Sequence, residues 1–366
     1  MVLPAVAGRD GDGLGRISVA GLPLDRRIAL AAQRAGFGAT VAAGDVAGRD
    51  ASGPQRIVAL GGHVVPKPAW LRELMTMPLE PETLYVDGGT VAVIQTGRPD
   101  RVLDLAARSA SAEALAGALD GAVHVVREPL DPSGRFSIGS RADVPAAETW
   151  LLRGLIKPSE GFMSRHVERR ISLAVTRRLA GTWVTPNVMT IVSVAIGLLG
   201  APFFLAADSA RQLIGALLFL AHSILDGCDG ELARLKFQES RAGAMFDFWG
   251  DNSVHVAVFS CMAIGWTLAS GSAWPLVLGA ITIASALATA TLAARRFIGG
   301  AAADADSAVG RFAEALSHRD FIYLIVVLAA LGKAAWFLVP AAVGTPSFLL
   351  LLLVLGHGGR RAARRP

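Results

Sequence analysis

The chain has 366 residues, with 35 Lys and Arg against 30 Asp and Glu for a formal net charge of +5. Hydrophobic residues make up 52% and mean hydropathy is +0.47, which excludes an ordinary soluble protein, while the length leaves room for two domains. A pI of 9.7 invites a nucleic-acid reading, but the arginines cluster beside apolar stretches, where the positive-inside bias places them. Nucleic acid is therefore not an expected partner.

The apolar residues are unevenly placed. Residues 1–150 mix charge, glycine and short apolar runs, and long apolar segments begin only near Val188. The N-terminus, MVLPAVAGRDGDG, has no basic region followed by a long apolar core, so no signal peptide is expected. The two cysteines, Cys228 and Cys261, fall in apolar segments and give no disulfide framework.

Within residues 1–150, β-like runs alternate with helical ones. Strands are expected at Arg16–Ala20, Ala39–Ala43, Arg56–Leu60, Leu84–Thr96 as a hairpin about Gly88–Gly89, and Ala122–Arg127. Helices are expected at Asp25–Ala35, Ala69–Thr76, Asp100–Ser109 and Ala112–Leu119. The alternation predicts an α/β sandwich with a largely parallel sheet, a class that binds ligands at the carboxyl ends of its strands. The glycine-rich stretch Gly8–Arg16 can cradle phosphate through backbone N–H groups but matches neither G-x-G-x-x-G nor the P-loop.

Residues 151–187 form a basic junction carrying Arg153, Lys157, Arg165, Arg169, Arg170, Arg177 and Arg178 among apolar residues of roughly helical spacing. This predicts either a basic amphipathic helix on the membrane surface or a linker helix packed on the soluble domain. Pro186 suits a helix start, with Thr185 as its cap.

From Val188 to the end, six spans are expected: Val188–Ala207, Leu213–Cys228, Ala244–Ala269, Trp274–Ala294, Phe321–Val339 and Val343–His357. The loops after spans two and four and the tail carry the basic residues, and the opposite loops carry only Arg211. That asymmetry predicts a multi-pass protein of the cell membrane with both termini cytoplasmic.

The stretch Asp226–Asp251 reads as two helices joined by a short turn. Asp226, Asp229, Gly230, Ala233 and Arg234 share one face of the first, while Gly243, Asp247 and Asp251 repeat every four residues on the second. Carboxylates at this depth need a water-filled cavity, and they either bind cations or shift their pKa values; clusters of this kind also line ion pathways. Hard oxygen ligands favour Mg²⁺ or Mn²⁺.

The spacing D-x2-D-G-x2-A-R-x8-G-x3-D-x3-D resembles the signature of the CDP-alcohol phosphotransferases, membrane enzymes that displace CMP from a CDP-linked alcohol, and every fixed position is filled. The resemblance implies two metal ions held by Asp226, Asp229 and Asp247, with Asp251 as general base and a further metal contact. Gly230, Ala233 and Gly243 are small, which allows close approach of the nucleotide or of the partner helix, and Arg234 either orients the nucleotide phosphates or a neighbouring aspartate or makes a structural ion pair. Pro186 and Asn187 either meet the cytidine end or simply start a helix. Arg295, Arg296, Arg311 and Arg319 either bind a phosphorylated polyol acceptor or anchor the spans. Family members pair as homodimers through the membrane domain. The implied reaction uses a CDP-diacylglycerol-like lipid and an inositol or glycerol phosphate; the alternative is a di-inositol-phosphate-phosphate synthase using CDP-inositol. A non-enzymatic membrane binding or transport protein is the reading of another class.

Ile17–Gly36 resembles the start of a sugar-phosphate nucleotidyltransferase, which implies a Rossmann-like fold for the soluble domain. The copy departs from that pattern twice. The loop lacks the lysine-proline pair that follows it in the family, and Leu60-Gly61-Gly62-His63 stands where Gly-Asp-His is usual, so Gly62 replaces a metal-holding aspartate. A degenerate domain is the expectation. The whole is thus expected to be an α/β nucleotidyltransferase-like domain followed by an all-α six-helix transmembrane domain.

Overall fold

The computed structural model describes residues 2–3, 17–42, 53–156, 167–298 and 321–362. They fall into two compact units, Met1–Gly154 and Leu155–Pro366. In the first unit the strands are β1 (Val2–Leu3), β2 (Ser18–Val19), β3 (Leu22–Pro23), β4 (Val41–Ala42), β5 (Gln55–Leu60), β6 (Val64–Pro66), β7 (Thr83–Asp87), β8 (Val91–Thr96), β9 (His124–Arg127) and β10 (Arg135–Ser137). The helices are α1 (Leu24–Ala35), α2 (Pro68–Thr76), α3 (Pro99–Arg108), α4 (Ala112–Leu119) and α5 (Val144–Arg153).

Six strands form a mixed sheet in the order β4-β1-β5-β8-β7-β9. Only β8 runs against the others, being antiparallel to both β5 and β7. The reversal follows from local chemistry. Gly88 and Gly89 take φ of 51° and 73°, the paired positive values that a two-residue hairpin turn demands, and Thr90 N–H closes it on Asp87 O at 3.1 Å. One face of the sheet buries Ile57, Leu84, Val86 and Ile94 against Val102, Leu115 and Leu119 of α3 and α4. Strand β2 falls within the strand expected at Arg16–Ala20, whereas its partner β3 and the β6–β10 ladder are short and were not expected.

In the second unit the helices are α6 (Arg169–Leu179), α7 (Pro186–Gly200), α8 (Ser209–Lys236), α9 (Arg241–Ser270), α10 (Trp274–Ile298), α11 (Phe321–Ala330) and α12 (Leu338–Ala362). Five helical stretches among the described residues are long and apolar enough to cross a membrane: Pro186–Leu205, Ser209–Lys236, Arg241–Ser270, Trp274–Arg295 and Ala334–Val354. Their outward residues, such as Leu199, Leu217, Leu268, Val277 and Val343, are exposed aliphatics, as a lipid-facing surface requires. This portion is membrane-embedded.

Two expected spans come out differently. Leu213–Cys228 is part of a helix that runs on to Lys236, because its carboxylates point at neighbouring helices and no lipid forces it to end. The expected span Phe321–Val339 breaks after α11. Gly332, at φ 68°, donates to Ala329 O at 2.9 Å and Lys333 donates to Leu328 O at 2.8 Å, the paired bonds of a glycine-terminated helix end. A 3-10 turn, Ala334–Phe337, then leads into α12. The buried Gln212 of α8 patches this break: its Oε1 accepts from Ala334 N at 2.9 Å and its Nε2 donates to Ala206 O at 2.9 Å. Side chains that satisfy freed backbone groups make such breaks tolerable inside a membrane.

Helix α7 packs against both α8 and α9. The α7–α8 crossing is made close by glycines: a Cβ on Gly215 would lie 3.0 Å from Gly200 O, so small residues set the approach. Phe219, Val254, Val258, Met262, Ile325 and Phe337 fill the core between helices.

Candidate active site

Helix α8 is capped by Asp208, which accepts from Arg211 N–H at 2.9 Å, and ends at Phe237 in the left-handed region at φ 56°. Ser240 caps α9, accepting from Gly243 N–H at 3.0 Å. The chain thus reverses over a few residues, and the two halves of the motif lie on successive helices as expected. Thr185 caps α7, accepting from Val188 N–H at 3.4 Å, with Pro186 at the first helical position.

These elements bring Asp226, Asp229 and Asp247 together, with one carboxylate oxygen from each lying within 4.8 Å of the others. Asp226 and Asp229 are 6% exposed. Thr190 of α7 donates its hydroxyl to Asp229 Oδ2, and Asp247 Oδ1 is buried without a hydrogen-bond partner. Three close carboxylates, with a buried oxygen unsatisfied, are what a hard divalent cation relieves. The donor set fits Mg²⁺ or Mn²⁺.

Asp251 lies one turn further along α9 and outside that group. Its Oδ1 is 3.2 Å from His222 Nε2, while His222 Nδ1 faces Ser193 O at 3.0 Å. The ring is stacked on Phe219 at 6.1 Å between centroids and is 1% exposed. Helices α7, α8 and α9 all contribute to this pair.

The remaining motif residues frame the cluster. The Arg234 guanidinium folds back along α8, with Nη1 3.2 Å from where a Gly230 Cβ would sit. A Cβ on Gly243 would stand 3.3 Å from Asn187 Oδ1, which places the exposed Asn187 beside the start of α9. Ala233 is half-buried on the same side of α8. Arg295 is exposed near the end of α10. The side chain of Arg296, and all of Arg311, Arg319 and Gly8–Arg16, lie outside the described residues.

Thr190, His222 and Glu231 were not singled out in the sequence. His222 precedes Asp226 by four residues on the same helical face, and Thr190 follows Pro186 by four. A polar residue in register with the motif inside an apolar span was the available signal.

In the first unit, Leu60 ends β5 and His63 sits in the turn before β6. His63 Nδ1 is buried without a hydrogen-bond partner, and burial holds the imidazole below its usual pKa. Arg27 is buried, donating from Nε to Val19 O and from Nη2 to Ala20 O, both at 3.1 Å. Burial lowers its pKa to about 10, with Glu148 opposing the shift. Glu148 Oε1 in turn accepts from Ala20 N–H at 2.9 Å, so both side chains hold the β2–β3 turn.

Residues 183–348 match the model of the CDP-alcohol phosphatidyltransferases. It is 34% identical over 220 residues to a bifunctional IPC transferase and DIPP synthase of Rubrobacter xylanophilus, covering 59% of this chain and 47% of that protein. It is 29% identical over 227 residues to the protein of the same name from Aquifex aeolicus, covering 61% and 51%. The chain thus spans about half the length of these curated relatives. The phosphatidylinositol phosphate synthase of Mycobacterium tuberculosis, solved with CDP-DAG bound, overlaps 50% of this chain and 94% of its own, at 22% identity and a TM-score of 0.37.

Proposed function

We propose that the membrane unit transfers a substituted phosphate from a CDP-alcohol to the hydroxyl of a second alcohol, releasing CMP. The observation that carries this is the gathering of Asp226, Asp229 and Asp247 within 4.8 Å inside a membrane-embedded segment that matches the CDP-alcohol phosphatidyltransferase model. These three carboxylates would hold the divalent cation, one ion or two. A cation bound there neutralises the pyrophosphate and stabilises the departing CMP.

The chain's own groups do the rest. Asp251 accepts the proton of the acceptor hydroxyl. As that oxygen bonds to the phosphorus bearing the donor alcohol, the bond from this phosphorus to the bridging oxygen of CMP breaks. Asp251, one turn beyond Asp247 on α9, would also serve as a further metal ligand. Arg234, lying over Gly230, orients the nucleotide phosphates, while Asn187, Pro186 and Ala233 line the cytidine end with Gly243 leaving room. The acceptor is a phosphorylated polyol, for which Arg295, Arg296, Arg311 and Arg319 supply positive charge.

The donor is a CDP-diacylglycerol-like lipid in one reading and CDP-inositol in the other. The second is favoured by the relatives named DIPP synthase. The soluble domain is degenerate for nucleotidyl transfer, since Gly62 offers no carboxylate. Both termini and the site face the cytoplasm, and the protein pairs as a homodimer in its membrane. Purified protein in detergent, given Mg²⁺ and either donor with inositol phosphate or glycerol phosphate, is expected to release CMP with one donor. Release with neither would contradict this reading.

A further inference from the structure

Behind α8, away from the carboxylate cluster, a polar network takes no part in the chemistry above. Glu231 is fully buried at 0% exposure, yet its oxygens accept three hydrogen bonds. Arg169 Nη1 donates to Oε1 at 2.6 Å, Ser172 Oγ to Oε1 at 2.7 Å, and Thr176 Oγ1 to Oε2 at 2.6 Å. All three donors come from α6, at spacings of three and four that make one helical face. The packed face of α6 thus carries polar residues, Ser172 and Thr176 being buried with Val175 and Leu179 packed near Cys228 and Leu232, while Ile171 is 46% exposed. Gly227 makes room, since a Cβ there would stand 3.2 Å from Arg169 Nη1. A second tie lies at the start of α6, where Tyr323 of α11 donates to Glu168 Oε1 at 3.0 Å.

A buried carboxylate is tolerated only when fully satisfied, and replacing it by apolar packing would hold two helices together at least as well. What a polar clasp supplies beyond apolar packing is a fixed register and rotation. At 3.6 residues per turn, Glu231 lies about 140° from Asp226 and about 200° from Asp229 around α8, on the side opposite the cluster. A rotation of α8 by about 10° moves a carboxylate about 6 Å from its axis by about 1 Å. Metal–oxygen distances are held within about 0.2 Å.

We propose that Glu231 is a positioning residue: clasped by Arg169, Ser172 and Thr176, it fixes the rotation of α8 at which Asp226 and Asp229 face Asp247. This rests on the metal reading of the cluster. The test is Mn²⁺ binding by the full chain in detergent, followed by electron paramagnetic resonance, with the melting temperature measured in parallel. Glu231→Gln keeps the volume but sets an amide N–H against a donor, and is expected to weaken Mn²⁺ binding on the order of tenfold or more. Ser172→Ala and Thr176→Val each remove one donor and are expected to weaken it less, in the same direction. A merely structural clasp would lower the melting temperature and leave the affinity of folded protein unchanged. Wild-type affinity in folded Glu231→Gln, or in both donor variants should Glu231→Gln not fold, would overturn the proposal. Asp229→Asn separates the two ideas. If wild type binds Mn²⁺ and Asp229→Asn does not, the metal reading stands whatever the clasp variants do; if wild type binds none, both readings fall.

Discussion

Asp229 shows how one side chain is prepared for its role. The Thr190 hydroxyl donates to its Oδ2, and one of its oxygens lies within 4.8 Å of oxygens of Asp226 and Asp247. Thr190→Val keeps the shape and removes that bond. It is expected to raise the Mg²⁺ concentration for half-maximal CMP release by about tenfold, with little change at saturating Mg²⁺; an unchanged Mg²⁺ dependence would show that Asp229 needs no such support. His63 makes a different point. Burial lowers its pKa from the ordinary 6.5, so the unfolded chain binds the proton first as pH falls. The stability this contributes is present above 6.5 and is lost as pH falls from there through the lower folded value. The ring's C–H resonances, followed by NMR against pH, are expected to titrate below the ordinary histidine midpoint.

The helices of the membrane unit depend on small residues where they cross. Gly215→Val would press a branched side chain against Gly200 O, already 3.0 Å from a Cβ there. The expected cost is about 1–3 kcal/mol of stability, read as a lower melting temperature in detergent; an unchanged melting temperature would show that the crossing has slack. Much at this level was legible in the sequence. The Gly88–Gly89 turn, the α4 bounds and the Thr185–Pro186 start of α7 all follow from residues acting on their own neighbours. What was hidden depends on partners distant in sequence. The continuation of α8 past its aspartates needs α6 and α7 to receive Glu231 and Asp229. The end of α11 was signalled by Gly332, but the Gln212 contact that makes the break bearable comes from another helix. For α6 the sequence left the packed face open, and it is set by Ser172 and Thr176 meeting a single carboxylate of α8 with Val175 and Leu179 beside them.

The whole molecule joins a first unit in which Gly62 offers no carboxylate to a membrane unit that gathers three. The motif was readable because it fixes eight positions at set spacing; Thr190 and His222 join the site only once α7, α8 and α9 pack, and Glu231, opposite the cluster, meets its partners only through α6. The proposed degeneracy at Gly62 has a direct consequence. The full chain, supplied with CTP, Mg²⁺ and inositol phosphate, is expected to consume no CTP, and pyrophosphate release would contradict the degenerate reading of residues 1–150. The account as a whole stands most directly on the carboxylates of α8 and α9. The measurement that tests it is Mg²⁺-dependent CMP release from a CDP-alcohol by wild type, Asp229→Asn and Asp251→Asn, each confirmed folded in detergent. Wild type is expected to release CMP, and each variant to lose at least about a hundredfold of that rate. Equal release by wild type and Asp251→Asn would contradict the assignment of the base, and no release by folded wild type with either donor would contradict the proposed chemistry.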